Sequence, residues 1–338
     1  MRWPFVPRRM LAWMLLVLLG SSGVAVAADD KEPSYGGKRL SEWVKGLDSE
    51  DYSTRHATQE ALRKVDVKGI DVLSHTLKHE DADIRREAAK VLGAIGPKAA
   101  AAMKALVPLL KDKDARVRQE AAAALGHIGS EIGRGVFIPE DDDTNRRIVR
   151  VLKTAIPILV EALKDEDEKV CIAVAGALGE IGREAKPAVP ALIHVLNDGN
   201  EEIRRAAAKA LGGIRAEAAV PALLDALKDE NRGIQREAAG ALGWIGPAAK
   251  PAVPALIDAL QGKDTPLRWA AADALGEIGS EAKAAVPALI GALKDKDEFL
   301  RHSAASALGK IGPRAKIAEE ALLDAMKDAN NLGNRSLV

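Results

Sequence analysis

Residues 110–129 read LKDKDARVRQEAAAALGHIG, and this stretch decides the fold. Asp114 is a residue type that accepts hydrogen bonds from the free N–H groups at a helix start. Gly129 is the type that often follows a helix end. Between them, alanine and leucine recur at helical spacing. The stretch therefore predicts a helix of about 14 residues that carries its own start and stop signals.

The same pattern recurs along the chain. The string Leu-Gly-x-Ile begins at seven leucines, most of them 33 residues apart: Leu92, Leu125, Leu178, Leu211, Leu242, Leu275 and Leu308. A weaker copy begins at Leu62, and one interval is 53 residues long because of an insertion. Asp or Asn stands at the start of all eight copies, at residues 51, 81, 114, 167, 200, 231, 264 and 297. A fixed period of this length is typical of repeat architectures.

The other half of each repeat predicts a second helix. Residues 252–262 read AVPALIDALQG, with apolar residues at steps of three and four. Pro190, Pro221, Pro254 and Pro287 fall near the first turn of such helices, where a missing N–H costs little. Neither helix can bury its apolar face alone, so neighbouring units must stack. The sequence therefore predicts an all-α fold, an α-solenoid of about eight helical hairpins over residues 40–328.

The pattern LKDxDxxVRxxAAxALGxIG resembles the HEAT-repeat family, most closely its short bacterial form named after phycobilisome lyases. Residues 40 to about 328 carry the resemblance. It implies a ladder between units in which an aspartate before the second helix pairs with an arginine within it. The matching pairs are Asp112 with Arg118, Asp198 with Arg204, and Asp295 with Arg301. Cys171 and Gln235 replace the arginine opposite Asp165 and Asp229, so the ladder is expected to be weaker there.

Residues 1–27 predict a cleaved signal peptide. Three arginines precede an apolar run over residues 10–19, and Ala25 and Ala27 form a small-residue cleavage site. About ten apolar residues are too few to cross a bilayer comfortably, although an uncleaved anchor is the alternative. We therefore expect a periplasmic or secreted protein. Residues 28–39 predict a linker, 316–328 an unpaired capping helix, and 329–338 a disordered tail.

Residues 130–147 form the insertion and predict an exposed loop. Its acidic run, residues 140–143, lacks the ligand spacing and turn glycine of a calcium loop. We therefore favour a solvated loop that ends with Thr144 as a helix cap. Partner contact through Phe137 and Ile138 remains an alternative, since long loops in repeat proteins often lie on a binding face.

Neither composition nor motifs indicate catalysis. Basic and acidic residues number 49 each, and loss of the signal peptide leaves 46 against 49, so no basic excess points to nucleic acid or an anionic membrane. His75 and His79 share a helix face, but a stable metal site needs a third or fourth ligand. Cys171 is expected to be a structural thiol. We expect no cofactor, no metal and no enzyme, with a metal-dependent or lyase-like accessory protein as the alternative.

Positions one, five and nine after the ladder position lie on one stripe of each second helix and vary strongly between units. Tryptophan and arginine are the residues most enriched at interface hot spots. The mixed charge of the stripe favours a protein or peptide partner, although each tryptophan could instead fill a gap between units. The predicted function is a non-catalytic binding scaffold, with these candidate partner-binding residues: Trp244, Trp269, Arg236, Arg205, Arg86, Lys209 and His302.

Overall fold

The computed structural model describes residues 34–35, 37–62, 64–133 and 142–312. Within these ranges eight helical pairs follow one another along the chain, beside a single short strand pair. The prediction of an all-α solenoid is confirmed. The chain divides into two compact units, residues 1–129 with 140–151, and residues 130–139 with 152–338.

The N-terminal unit begins with an antiparallel pair of two-residue strands. Helices follow, and the first half of the third repeat consists of short 3₁₀ and α segments. The elements are β1 (Ser34–Tyr35), β2 (Lys38–Arg39), α1 (Leu40–Leu47), α2 (Tyr52–Leu62), α3 (Val67–Thr76), α4 (Ala82–Ile95), a 3₁₀ helix (Gly96–Ala102), α5 (Met103–Leu106), a 3₁₀ helix (Val107–Lys111) and α6 (Ala115–Gly133).

The boundary between the units falls within the next helix, α7 (Asp142–Ala162). In the C-terminal unit, four later repeats alternate a first helix with a longer second helix. These are α8 (Glu168–Ile181), α9 (Val189–Asp198), α10 (Glu201–Ile214), α11 (Val220–Ala226), α12 (Arg232–Ile245), α13 (Val253–Leu260), α14 (Thr265–Ile278), α15 (Val286–Ala292) and α16 (Glu298–Ile311). 3₁₀ helices precede the first helices at Gly182–Ala188, Glu217–Ala219, Gly246–Ala252 and Gly279–Ala285.

The predicted start signals are confirmed in every repeat. The Asp or Asn side chain before each second helix accepts a hydrogen bond from a backbone N–H in the first turn. Six of these helices are 14 residues long, as predicted. The four prolines are the second residues of α9, α11, α13 and α15, where no hydrogen bond is lost.

The predicted stop signals hold with one exception. Five glycines follow the final isoleucine with φ between 68° and 90°, a conformation that only glycine adopts without strain: Gly96, Gly182, Gly246, Gly279 and Gly312. Gly129 does not end its helix, because α6 continues to Gly133. The insertion is therefore shorter than predicted, since residues 130–133 and 142–147 are helical. Thr144 is not a cap, because α7 has already begun at Asp142.

The glycine of each Leu-Gly pair is a contact point between successive second helices. A Cβ atom added there would lie only 2.7–3.0 Å from an alanine Cα in the next unit, closer than real Cβ contacts. This holds at Gly93, Gly179, Gly212, Gly243 and Gly276, which face Ala124, Ala210, Ala241, Ala274 and Ala307. The motif therefore sets how closely neighbouring units stack, while its leucine fills the core.

The ladder exists, but the predicted partners are wrong. Arg85 reaches forward to Asp112 of the next unit with two hydrogen bonds of 2.8 Å. Arg204 binds Asp229 and Arg268 binds Asp295 in the same way. Toward its own unit the arginine side chain bonds to backbone instead, as Arg118 donates to the Asp112 carbonyl. The register is shifted because a long side chain at the start of one helix points toward the following unit.

The weak points of the ladder also differ from those predicted. Asp229 keeps a charged partner, Arg204, so it is not left to solvent. The positions that would follow Cys171 and Gln235 are Asp198 and Gly262. Asp198 pairs with His194 within its own helix instead, and Gly262 carries no carboxylate.

Residues 28–39 are not entirely a linker, because β1 and β2 lie within them. The predicted signal peptide, capping helix and C-terminal tail lie outside the described residues, as do Phe137 and Ile138.

Candidate partner-binding groove

A groove of about 870 Å³ runs across four second helices of the C-terminal unit, α8, α10, α12 and α14. The stripe predicted from sequence variation supplies much of its lining. Three of the predicted binding residues are among them, namely Arg205, Lys209 and Trp244. The structure thus brings these three side chains to one surface.

Glycines make the groove deep. Gly176 on α8 and Gly240 on α12 hold the same position as Lys209 on α10, and an added Cβ at either would have no atom within 4 Å. Lys209 therefore stands between two gaps in the side-chain layer. Gly213 has a different role, because its Cβ would lie 2.5 Å from the Gly179 carbonyl oxygen. It allows α8 and α10 to approach closely beneath the groove.

Trp244 is 50% exposed in the groove wall, which is unusual for so large an apolar side chain. One edge of its ring lies against Gly212 of the preceding unit, where an added Cβ would lie 2.9 Å from Cε3. The ring is held by α10 and still offers surface to a ligand. Gly212 therefore shapes both the stacking of the helices and the position of the indole.

The cations of the groove are concentrated on its central helix. Arg205 and Lys209 lie on α10, and Arg215 follows the helix end. Arg205 pairs with Glu202 at 2.8 Å, with both side chains about half exposed. Lys209 has no ion pair among the described residues. The acids of the flanking helices are Glu180, Glu237 and Glu277, and the last is paired with Lys310 at 2.7 Å.

Arg215 reaches the groove because its repeat is two residues shorter. The second helices on either side begin their Leu-Gly pairs 31 residues apart, where 33 is usual. α10 ends with Arg215 in the left-handed region, φ 56° and ψ 51°, and the Ala216 N–H bonds back to the Leu211 carbonyl. This αL ending replaces the glycine turn of the other units. Arg215 is absent from our predicted set.

The remaining predicted residues lie elsewhere. Trp269 is a packing residue, because its Nε1–H donates to Asp297 at 2.8 Å and its ring lies 5.4 Å from that of Phe299. Arg236 is exposed on α12 but does not line the groove. His302 is exposed on α16, also outside the lining. Arg86 lies in the N-terminal unit, on α4, where it pairs with Asp83.

Few features of the described residues suggest catalysis. No group of three or more His, Cys, Asp or Glu side chains there could hold a metal ion. His79 accepts a hydrogen bond from the Asp81 backbone through Nδ1. Cys171 is buried, and its thiol donates to the Asp165 carbonyl at 3.2 Å. Burial raises the pKa of this thiol, which disfavours the reactive thiolate.

A second cavity, of about 630 Å³, lies in the N-terminal unit. Four of its lining side chains are basic: Lys104, Arg146, Arg147 and Arg150. The three arginines lie one and two turns after Asp142 and Asp143 on α7, and Arg146 and Arg147 already have partners. The arrangement is that of a helix whose first turn is acidic and whose next turns are basic.

Family models match most of the chain. The model described as HEAT repeats matches residues 40–106, 70–133, 189–264 and 253–337. The chain belongs to the HEAT-repeat family. A further HEAT repeat model matches residues 155–185, and the PBS lyase HEAT-like repeat model matches residues 117–165. The resemblance noted from the sequence is thereby confirmed. No curated protein matches the chain in sequence.

Solved structures share the HEAT solenoid fold. Kap95p, described as binding RanGDP, has a TM-score of 0.56 at 18% identity, covering 86% of this chain and 43% of its own. Importin beta has a TM-score of 0.52 at 18% identity, with 85% and 41% coverage. The chain thus spans less than half the length of either protein. The phycocyanin lyase complex of CpcE and CpcF from Nostoc sp. PCC7120 gives 26% identity and a TM-score of 0.45, with 77% and 94% coverage.

No helix within the described residues combines the length and apolar character that a membrane crossing requires.

Proposed function

We propose that this HEAT-repeat protein is a non-catalytic scaffold that binds a protein or peptide in the groove over α8, α10, α12 and α14. The observation that carries the proposal is the half-exposed Trp244, held against Gly212 beside the gaps at Gly176 and Gly240. Exposed aromatic residues next to a cavity are the usual anchors of an interface. The surrounding charges would form the polar border of that contact.

The form of the groove favours a polypeptide over a small molecule. It crosses four helices and is open along them, whereas small-molecule sites enclose most of their ligand. The lining mixes cations, acids and an indole, which together complement a chain with varied side chains. We further propose that binding takes place in the periplasm or outside the cell, as the predicted signal peptide requires.

The test fills the groove without disturbing the fold. Gly176→Leu places a side chain in the open gap on α8 and also favours the helix, because glycine is a poor helix residue. We expect recovery of a specific partner from envelope extract to fall about tenfold, a change of about 1.4 kcal/mol. Trp244→Ala should have a similar effect through loss of the anchor.

Gly291→Leu is the matched control. Gly291 lies on α15, outside the groove, and an added Cβ there also has no atom within 4 Å. This variant should bind its partner like the wild type. Circular dichroism should show equal helix content in all variants. Equal partner recovery by Gly176→Leu, Trp244→Ala and Gly291→Leu would show that function does not reside in the groove.

A further inference from the structure

We propose that the groove accepts an extended acidic peptide, whose carboxylates lie along α10 and whose apolar side chain packs on Trp244. This inference rests on the proposed function and specifies the chemistry of the partner. It follows from the positions of the charges, the gaps and the indole within the groove.

The cations form a line of suitable length. Arg205 and Lys209 are one turn apart on α10, about 6 Å along the axis, and Arg215 lies about 9 Å further. An extended peptide spans about 15 Å in five residues. Acidic side chains on alternate residues of such a peptide point to the same side. A five-residue segment with acids at spaced positions can therefore meet all three cations.

The cations are available to a ligand. Lys209 has no ion pair among the described residues, and both neighbouring positions are glycine. Arg205 is paired with Glu202, but both side chains are about half exposed, and such pairs contribute little. A ligand carboxylate can replace Glu202 at small cost.

The flanking acids limit which anions fit. Glu180 and Glu237 border the line of cations on either side. Their charge opposes a uniformly anionic polymer, such as a nucleic acid backbone, that would fill the whole groove. They tolerate a narrow peptide whose acids face α10 alone. The charge pattern thus favours separated acidic residues on a polypeptide.

The indole specifies a neighbouring apolar residue. Trp244 is half exposed and the gap at Gly240 lies one turn before it on α12. An aromatic side chain fits this gap and can stack on the ring, a contact worth about 1 kcal/mol beyond burial. The preferred segment therefore carries an aromatic residue between its acids.

Three labelled peptides test the inference by fluorescence anisotropy with the full mature chain. Their sequences are EGEFE, KGKFK and EGEGE. We expect EGEFE to bind most tightly and to weaken as salt rises. Lys209→Ala should raise its Kd about fivefold, and Lys209→Glu should reverse the preference toward KGKFK. Lys228→Ala, an exposed lysine outside the groove, should leave every Kd unchanged.

Several outcomes would overturn the inference. Tighter binding of KGKFK than of EGEFE to the wild type would do so, as would an unchanged Kd in Lys209→Ala. Absence of measurable binding of EGEFE would reject the peptide chemistry as well. The scaffold proposal would survive each result if Gly176→Leu still abolished partner recovery, so the two failures are distinguishable.

Discussion

The ladder residues have two separate roles. Arg85 binds Asp112 of the next unit, and its Nη1 also donates to the carbonyls of His79 and Glu80 in its own. Cys171 and Gln235 keep only the second role. The Cys171 thiol and the Gln235 amide each donate to the carbonyl six residues earlier, at 3.2 and 2.6 Å. These substitutions therefore preserve the local turn and lose the bond between units.

Arg85→Ala is expected to destabilise the N-terminal unit by about 3 kcal/mol, because it leaves the Asp112 carboxylate poorly solvated. The two side chains are only 9% and 12% exposed. Urea unfolding followed by circular dichroism measures the change. Arg116→Ala is the control, since its side chain is 55% exposed in its pairs with Asp83 and Asp114. It should cost less than about 1 kcal/mol, and an equal cost for both variants would contradict the prediction.

The effect of Arg85→Ala should depend on pH. Burial opposes ionisation of Asp112, but the hydrogen bonds from Arg85 outweigh it and hold the pKa of this carboxyl below its usual value. A lowered pKa in the folded state stabilises the fold above the unfolded pKa, and this contribution is lost as pH falls through the folded pKa. The difference between wild type and variant should therefore be full at neutral pH and shrink below about pH 4. A constant difference would show that the ion pair is not its source.

At the scale of the helix, the Leu-Gly motif predicts opposite effects for one substitution at two places. Gly243→Ala puts a Cβ 2.9 Å from the Ala274 Cα and should cost about 1–3 kcal/mol through overpacking. Gly309→Ala, in the last described repeat, meets no atom within 4 Å and should gain up to about 1 kcal/mol. Thermal unfolding of both variants measures the two signs. Destabilisation by both would mean that helix contacts do not explain the motif.

The sequence predicted the second helices well because their signals are local. Asp114 and Asn200 cap the helices whose N–H groups they face, a few residues away. Signals between repeats were harder to interpret. Gly212 packs on Ala241 of the next unit, and only the recurrence of glycine and alanine at equivalent positions could have indicated this contact.

The candidate site shows the same limit. Lys209 and Trp244 were found because their positions vary between repeats while core positions do not. Trp269 met the same criterion, yet its partners Asp297 and Phe299 belong to the following unit. Nothing within a single repeat reveals such a contact. Arg215 was missed because the two-residue shortening of its repeat moves it to the groove.

At the scale of the whole molecule, the proposed partner must share a compartment with the chain. The first 27 residues combine three arginines, an apolar run and the small residues Ala25 and Ala27. We expect export with cleavage after Ala27, so that the mature chain begins at Ala28. Cell fractionation followed by mass spectrometry of the intact chain measures both compartment and N-terminus.

Ala27→Arg tests whether the small residues direct cleavage, because a signal-processing site accepts only small side chains there. This variant should retain the full leader and remain associated with the membrane fraction. Asp29→Ala, two residues later, is the control and should be processed like the wild type. An unprocessed wild-type chain in the membrane fraction would indicate an uncleaved anchor, and the groove would then act beside the membrane. An unprocessed chain in the cytosol would rule out an envelope partner and direct the search for acidic peptides to cytosolic proteins.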